Sequence, residues 1–370
     1  MGFWRTRSVY CHSYRFSYLA AISIVVSPAL SLLEISDARA FAPIINARPA
    51  RSGDSLRDSF APRAQATDPK TEADKLFETG VKQHREGLFR EAIQTFEQVL
   101  AIRKQLADKP GIGETLNNIG EVYTEMGSQS KALEVLRQAL AIHREIGEGP
   151  RIAHTLNLIG FVNRLADNFD EAMKLHQEAL ELAKIANDQI QIAESFHNIA
   201  AVYAEQVNYA KAIEFYQQAR TIRTTEGDRR DLGRTLNNMG GVYYNIGDFN
   251  RAMEFYHQAL AIRREIGDRA GVARLLNNMA LTCRKQGKDT QALIYFQQAI
   301  PMFEAIGDKT SMGRLFNNMG AIYESLRQYP KALNSYERAL KIARDGGDKA
   351  GETTAMEGIK RLSSGQSLPQ

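Results

Sequence analysis

Seven alanines spaced forty residues apart, Ala92, Ala132, Ala172, Ala212, Ala252, Ala292 and Ala332, narrow what this chain can fold into. A second column at the same interval admits only Gly or Ala: Gly80, Gly120, Gly160, Ala200, Gly240, Ala280 and Gly320. A third reads Val99, Ala139, Ala179, Ala219, Ala259, Ala299 and Ala339. Small residues at fixed places mark helices whose backbones approach closely, because a larger side chain would push the pair apart. A fixed period of this length is the signature of a solenoid, in which copies of one unit stack.

The stretch RTLNNMGGVYYNIGDFNRAMEFYHQALAIRREIGD, 234–268, shows the unit. Leu236, Met239 and Tyr243 recur at i, i+3 and i+7 and predict a first helix ending at Gly247. Ala252, Phe255, Ala259 and Ile262 predict the buried face of a second. Gly267 is the expected stop and Asp268 the expected N-cap of the following helix; the Gly-Asp pair recurs at 227–228, 307–308 and 347–348. Of the aromatic pairs Tyr243–Tyr244 and Phe255–Tyr256, one partner of each is expected in the core. Neither helix can bury its apolar stripe alone, so the core must form between neighbouring units.

The spacing Leu236, Gly240, Tyr243, Ala252, Phe255, Ala259 resembles the tetratricopeptide repeat, with six residues more than the usual unit of about 34. Units of this longer kind are similar to those of kinesin light chains, of spindle-orientation adaptors with Leu-Gly-Asn repeats, and of bacterial arrays often fused to a caspase-like CHAT domain. The resemblance implies an all-α, right-handed superhelical solenoid of seven helix pairs over 71–349. The units are placed at 73–111, 112–150, 151–190, 191–230, 231–270, 271–310 and 311–349, with a capping helix at 350–362. On this placement the sequence leaves no room for a CHAT or other effector domain.

Ahead of the array, Arg5, Arg7 and Arg15 precede an apolar run over 18–33 and a small-x-small site, Ala38-Arg39-Ala40. This is the layout of a signal peptide over 1–40, cleaved after Ala40; an uncleaved membrane anchor and a transit peptide are the alternatives. With the bacterial resemblance it implies an exported protein, periplasmic or extracellular, or membrane-anchored if uncleaved. Cleavage removes four basic and two acidic residues and lowers the net charge from +4 to +2, which does not argue for nucleic acid. Cys283 would then be the sole cysteine, excluding an internal disulfide and expected as a buried, unreactive thiol. Residues 41–70, with Pro43, Pro49, Pro62 and Pro69 and no period, read as a disordered linker, and 363–370 as a disordered tail.

The resemblance places three columns of the first helices on a concave groove. One holds Asn118, Leu158, Asn198, Asn238, Asn278 and Asn318; the residue before each gives Asn117, Asn157, His197, Asn237, Asn277 and Asn317. The third, four residues before the first, is Glu114, His154, Glu194, Arg234, Arg274 and Arg314, acidic in its N-terminal part and basic in its C-terminal part. Asparagine offers a donor and an acceptor, so the ladder can pair with the backbone of an extended peptide or with a neighbouring helix. The three arginines suit carboxylates of a ligand, or acids of adjacent units. The expected function is a non-catalytic scaffold holding an extended, partly acidic segment of a protein partner. The alternatives are a regulatory or sensory subunit for an effector on another chain, and a membrane-anchored assembly factor for an envelope or photosynthetic complex. No cofactor is expected: GxSxG, HExxH and phosphate-loop patterns are absent, and His154, Glu194 and His197 lie on units too far apart to converge easily on a metal.

Overall fold

A computed structural model describes residues 68–364. These form fifteen α-helices and, among the described residues, no strand. The pairs are α1 (Pro69–Arg85) with α2 (Phe89–Gln105), α3 (Lys109–Glu125) with α4 (Gln129–Ile146), and α5 (Gly149–Leu165) with α6 (Phe169–Ile185). They continue with α7 (Gln189–Glu205) and α8 (Tyr209–Thr225), α9 (Arg229–Ile246) and α10 (Phe249–Glu265), α11 (Arg269–Lys285) and α12 (Asp289–Ile306), and α13 (Lys309–Ser325) and α14 (Tyr329–Gly346). The last helix, α15 (Lys349–Ser363), packs on α14 and α13. Each helix packs against the next, and first helices of successive units also touch. The signal peptide, most of the linker and the tail end beyond Ser364 lie outside the described residues, and α1 begins at Pro69, within the stretch read as linker.

Aspartates open the first helices other than α5, which follows Glu148. The carboxylates of Asp108, Asp188, Asp228, Asp268, Asp308 and Asp348 accept from the backbone N–H three residues on, at 2.8–3.1 Å. Each satisfies one of the free donors of a helix start. Gly247 and Gly267 stand at the predicted stops with φ of 92° and 70°. Among the described residues, five other than glycine take the same left-handed backbone, Val207 at φ 63° being one.

At Gly240 and Gly320 the column is glycine where a large ring faces it. A Cβ on Gly240 would lie 2.6 Å from Cε1 of Tyr256, and one on Gly320 2.7 Å from Cε1 of Tyr336. Tyr256, 1% exposed, and not Phe255, is therefore the core aromatic of the second helix. The buried stripe follows Ala252, Tyr256 and Ala259 at i, i+4 and i+7; Phe255 lies on its flank, half-buried, its ring stacked 5.3 Å from that of Tyr243. Tyr243 and Tyr244 are both half-buried, so that pair supplies no fully buried ring. Cys283 is 2% exposed, and burial pushes its thiol pKa up.

Candidate binding groove

Where two helices of a unit meet the first helix of the next, the chain carries a seam whose chemistry changes along the array. In the N-terminal units a hydroxyl column, Thr115, Thr155, Ser195 and Thr235, is fully buried. The second helices present Arg103, His143 and Arg223 to it. Arg103 Nη1 donates to Thr115 Oγ1 at 2.9 Å, His143 Nδ1 lies 2.9 Å from Thr155 Oγ1, and Arg223 Nη1 donates to Thr235 Oγ1 at 2.5 Å. In the C-terminal units the hydroxyl positions hold Leu275 and Leu315, and the second-helix positions hold Phe303 and Ala343, all at most 2% exposed. Arg263, between the two regimes, turns to Asp268.

The second asparagine column belongs to this seam. Asn117 donates to Thr155 Oγ1 at 3.0 Å, Asn157 to Ser195 Oγ at 2.9 Å, and Asn317 to the Gly351 carbonyl at 3.0 Å. Asn317, expected on the ligand face, is 7% exposed, with its Nδ2 taken by α15. Asn237 is half-buried, its carbonyl accepting from Asn278 at 3.1 Å and its amide donating to Asn238 Oδ1 at 3.2 Å. Asn277 is also half-buried. In the first column Asn198 is only 4% exposed. Asn238, Asn278 and Asn318 are half-buried; the amide nitrogen of Asn238 lies 3.3 Å from His197 Nε2, and Arg284 Nη1 lies 3.4 Å from Asn318 Oδ1.

The arginine column divides. Arg234 bonds to Glu194, and its Nε donates to Asp231 at 2.9 Å. Glu194 also accepts from Arg223 Nη2 at 2.5 Å. Burial alone would raise the Glu194 pKa; the guanidinium groups of Arg234 and Arg223 overcome it and hold the carboxyl at about 2. Arg234 is thus built into the stack. Arg314 is half-buried with Nε 3.8 Å from Asp348 Oδ2, and Arg274 is exposed. The Arg223 network lies on a second helix, outside the first-helix columns that the resemblance points to. The signal was present: Ala212, Tyr216, Ala219 and Arg223 recur at i, i+4, i+7 and i+11, which sets a guanidinium in a buried stripe.

His197 and His176 are neutral parts of the seam. Burial, then Arg234 and Arg223, lowers the His197 pKa well below its usual value. Burial, then Arg164, lowers that of His176 to about 3. No cluster of three or more His, Cys, Asp or Glu among the described residues could hold a metal ion, and no helix there is long and apolar enough to cross a membrane.

The tetratricopeptide repeat model matches residues 81–145, 151–225, 231–305 and 313–345, well over half of the sequence. The chain belongs to the tetratricopeptide repeat family. Its fold is similar to that of BtubC (BKLC) from P. vanneervenii, at 23% identity over 60% of this chain and 91% of that one, with a TM-score of 0.52. It is also similar to a Rap protein complexed with competence and sporulation factor, at 17% identity over 75% and 76%, with a TM-score of 0.59. A third likeness is to a signal transduction ATPase with numerous domains and a tetratricopeptide repeat sensor from Pyrococcus horikoshii, at 13% identity over 80% and 48%, with a TM-score of 0.58. At these identities the likeness is one of fold. Comparison with curated proteins found no match. As a tetratricopeptide repeat protein the chain is a scaffold for interaction with other proteins.

Proposed function

We propose that this scaffold is non-catalytic and holds an extended segment of a protein partner along the first helices α9, α11 and α13, in the groove of the array. The observation that carries the reading is the state of the polar columns there. Arg274 is exposed, and Asn238, Asn277, Asn278, Asn318 and Arg314 around it keep part of their surface open. In the earlier units Asn117, Asn157 and Asn198 are buried and Asn118 is half-buried, and Glu114, His154 and Glu194 are half-buried where Arg274 is exposed. An exposed guanidinium beside amide groups fits a segment whose backbone meets the amides and whose carboxylate meets Arg274. The Rap protein of similar fold, in complex with competence and sporulation factor, gives support for a ligand held by such an array.

The test is fluorescence anisotropy with extended peptides carrying Asp and Glu, against the same peptides with Asn and Gln. The acidic peptides should bind more tightly, and Arg274→Glu should weaken them by at least about tenfold, the loss of one charge-assisted contact. Equal binding by Arg274→Glu and the parent would exclude the groove as the acidic site. Residues 1–40 are proposed to direct export; a mature protein beginning at Phe41 on N-terminal sequencing is the expected result, and an intact leader would favour anchorage.

A further inference from the structure

Outside the groove, four of the seven repeats share a second motif. Four units carry a Tyr at the end of the first helix and a cation eight residues later: Tyr123 with Lys131, Tyr203 with Lys211, Tyr243 with Arg251, and Tyr323 with Lys331. In each the cation lies over the ring, at 5.4, 5.0, 5.5 and 5.7 Å from its centroid. In two of the four a ring of the second helix also stacks on the Tyr, Phe215 on Tyr203 at 5.6 Å and Phe255 on Tyr243 at 5.3 Å. Ring and cation are kept or lost together: the remaining pairs at these positions are Gln83 with Glu91, Asn163 with Glu171, and Cys283 with Gln291.

The unit of α11 and α12 differs from the other two exceptions. At the stacking position those hold Thr95 and Leu175, whereas this one keeps an aromatic, Tyr295. The platform is present and the ring that should lie on it is replaced by a thiol. A cleft of about 940 Å³ opens there, walled by Met253, Cys283, Tyr295 and Leu326. Its polar rim bears Glu254, Asp289 and Lys288, with His257 beside them, two carboxylates to one ammonium, which does not favour an anionic occupant.

We propose that this cleft receives an aromatic side chain, phenol or phenyl, from a partner protein, stacked on Tyr295 where four other units place a Tyr of their own. Offset stacking and the apolar walls supply the attraction, as they do inside the chain for Tyr243 on Phe255. The site shares with the preceding reading only that a protein partner exists, and it lies off the first-helix groove, so either can fail alone.

The experiment is saturation-transfer NMR on N-acetyl-tyrosinamide, with N-acetyl-alaninamide as the blank and p-cresol as the competitor, using the full chain. Cys283→Tyr refills the cleft from within by copying Tyr243, and Tyr295→Ser removes the platform by copying Ser335 of the last unit. Transfer to the tyrosinamide ring, displaced by p-cresol and weakened at least about tenfold in both variants, is the expected result. Cys283→Tyr should also raise the melting temperature; if it does not fold, Tyr295→Ser decides. No transfer to the parent chain, or undiminished transfer to Tyr295→Ser, overturns the proposal. Binding of p-cresol without N-acetyl-tyrosinamide overturns the side-chain occupant. Acidic-peptide binding in the groove should be unchanged by either variant, which separates failure here from failure there.

Discussion

The units of α1–α8 and those of α11–α14 share one period and one fold but are held together by different chemistry. In the first group buried Arg103, His143 and Arg223 reach hydroxyls of the next first helix, and the apolar core is broken into separate clusters around them. In the second, Phe303, Leu275 and Leu315 join one continuous cluster that runs from Leu232 to Ala355. A polar seam demands one register, since a shift leaves a guanidinium without partners. An apolar seam tolerates small shifts and gains from area alone. In a solenoid, where each unit contacts only its neighbours, such differences set local stability along the array.

The largest expected effect that would break this comparison is at Glu194. Glu194→Gln removes the carboxylate nearest to Arg223, 2% exposed, leaving the more distant Asp228 at 3.9 Å from its Nε, and should cost about 3 kcal/mol in urea unfolding. A cost below about 1 kcal/mol would show that the polar seam contributes little to holding these units.

Lowering the pH should act on the same units. His176 has a pKa of about 3 in the fold against 6.5 when free, so between those values the unfolded chain binds the extra proton. Stability is therefore complete above pH 6.5 and falls as the pH drops, by about 2 kcal/mol at pH 5, with the loss ending as pH passes the folded value. Glu194 adds to the fall in a lower window, from 4.5 toward 2. His176→Leu, which copies Leu136, should flatten the upper part of the profile; an unchanged slope in pH-dependent unfolding would contradict the assignment.

The smallest effect concerns a turn. Val207 takes the left-handed backbone that Gly247 and Gly287 hold in later units, at φ 63°. Val207→Gly should raise stability by about 1 kcal/mol, because a β-branched side chain is strained there. No gain in melting temperature would mean that the turn is not strained in the folded chain.

The fold was legible in the sequence because the period needs no knowledge of side-chain direction, and because Gly267 and Asp268 act through local backbone chemistry. The core aromatic was misplaced by one residue. Phe255 and Tyr256 are adjacent, and a stripe traced by apolarity favours Phe, whereas the glycine opposite requires the ring at 256. The asparagine ladder was visible, yet its direction depends on what the next unit places beside it. Asn117 faces a hydroxyl that belongs to residue 155, and nothing near it in the sequence says so. Arg234 looked available for the same reason, its partner Glu194 being forty residues away.

The hydroxyl column has a consequence for how such an array can be lengthened or shortened. Deleting residues 189–228 would join Asp188 to the helix that Asp228 now opens, cap for cap, and Asn157 would find Thr235 where Ser195 stood. Deleting residues 189–268 keeps the caps equally well but sets Asn157 against Leu275. Units are therefore exchangeable parts within a half and not across the boundary, so whole-unit recombination should be tolerated on either side of α10 and selected against when it bridges the two.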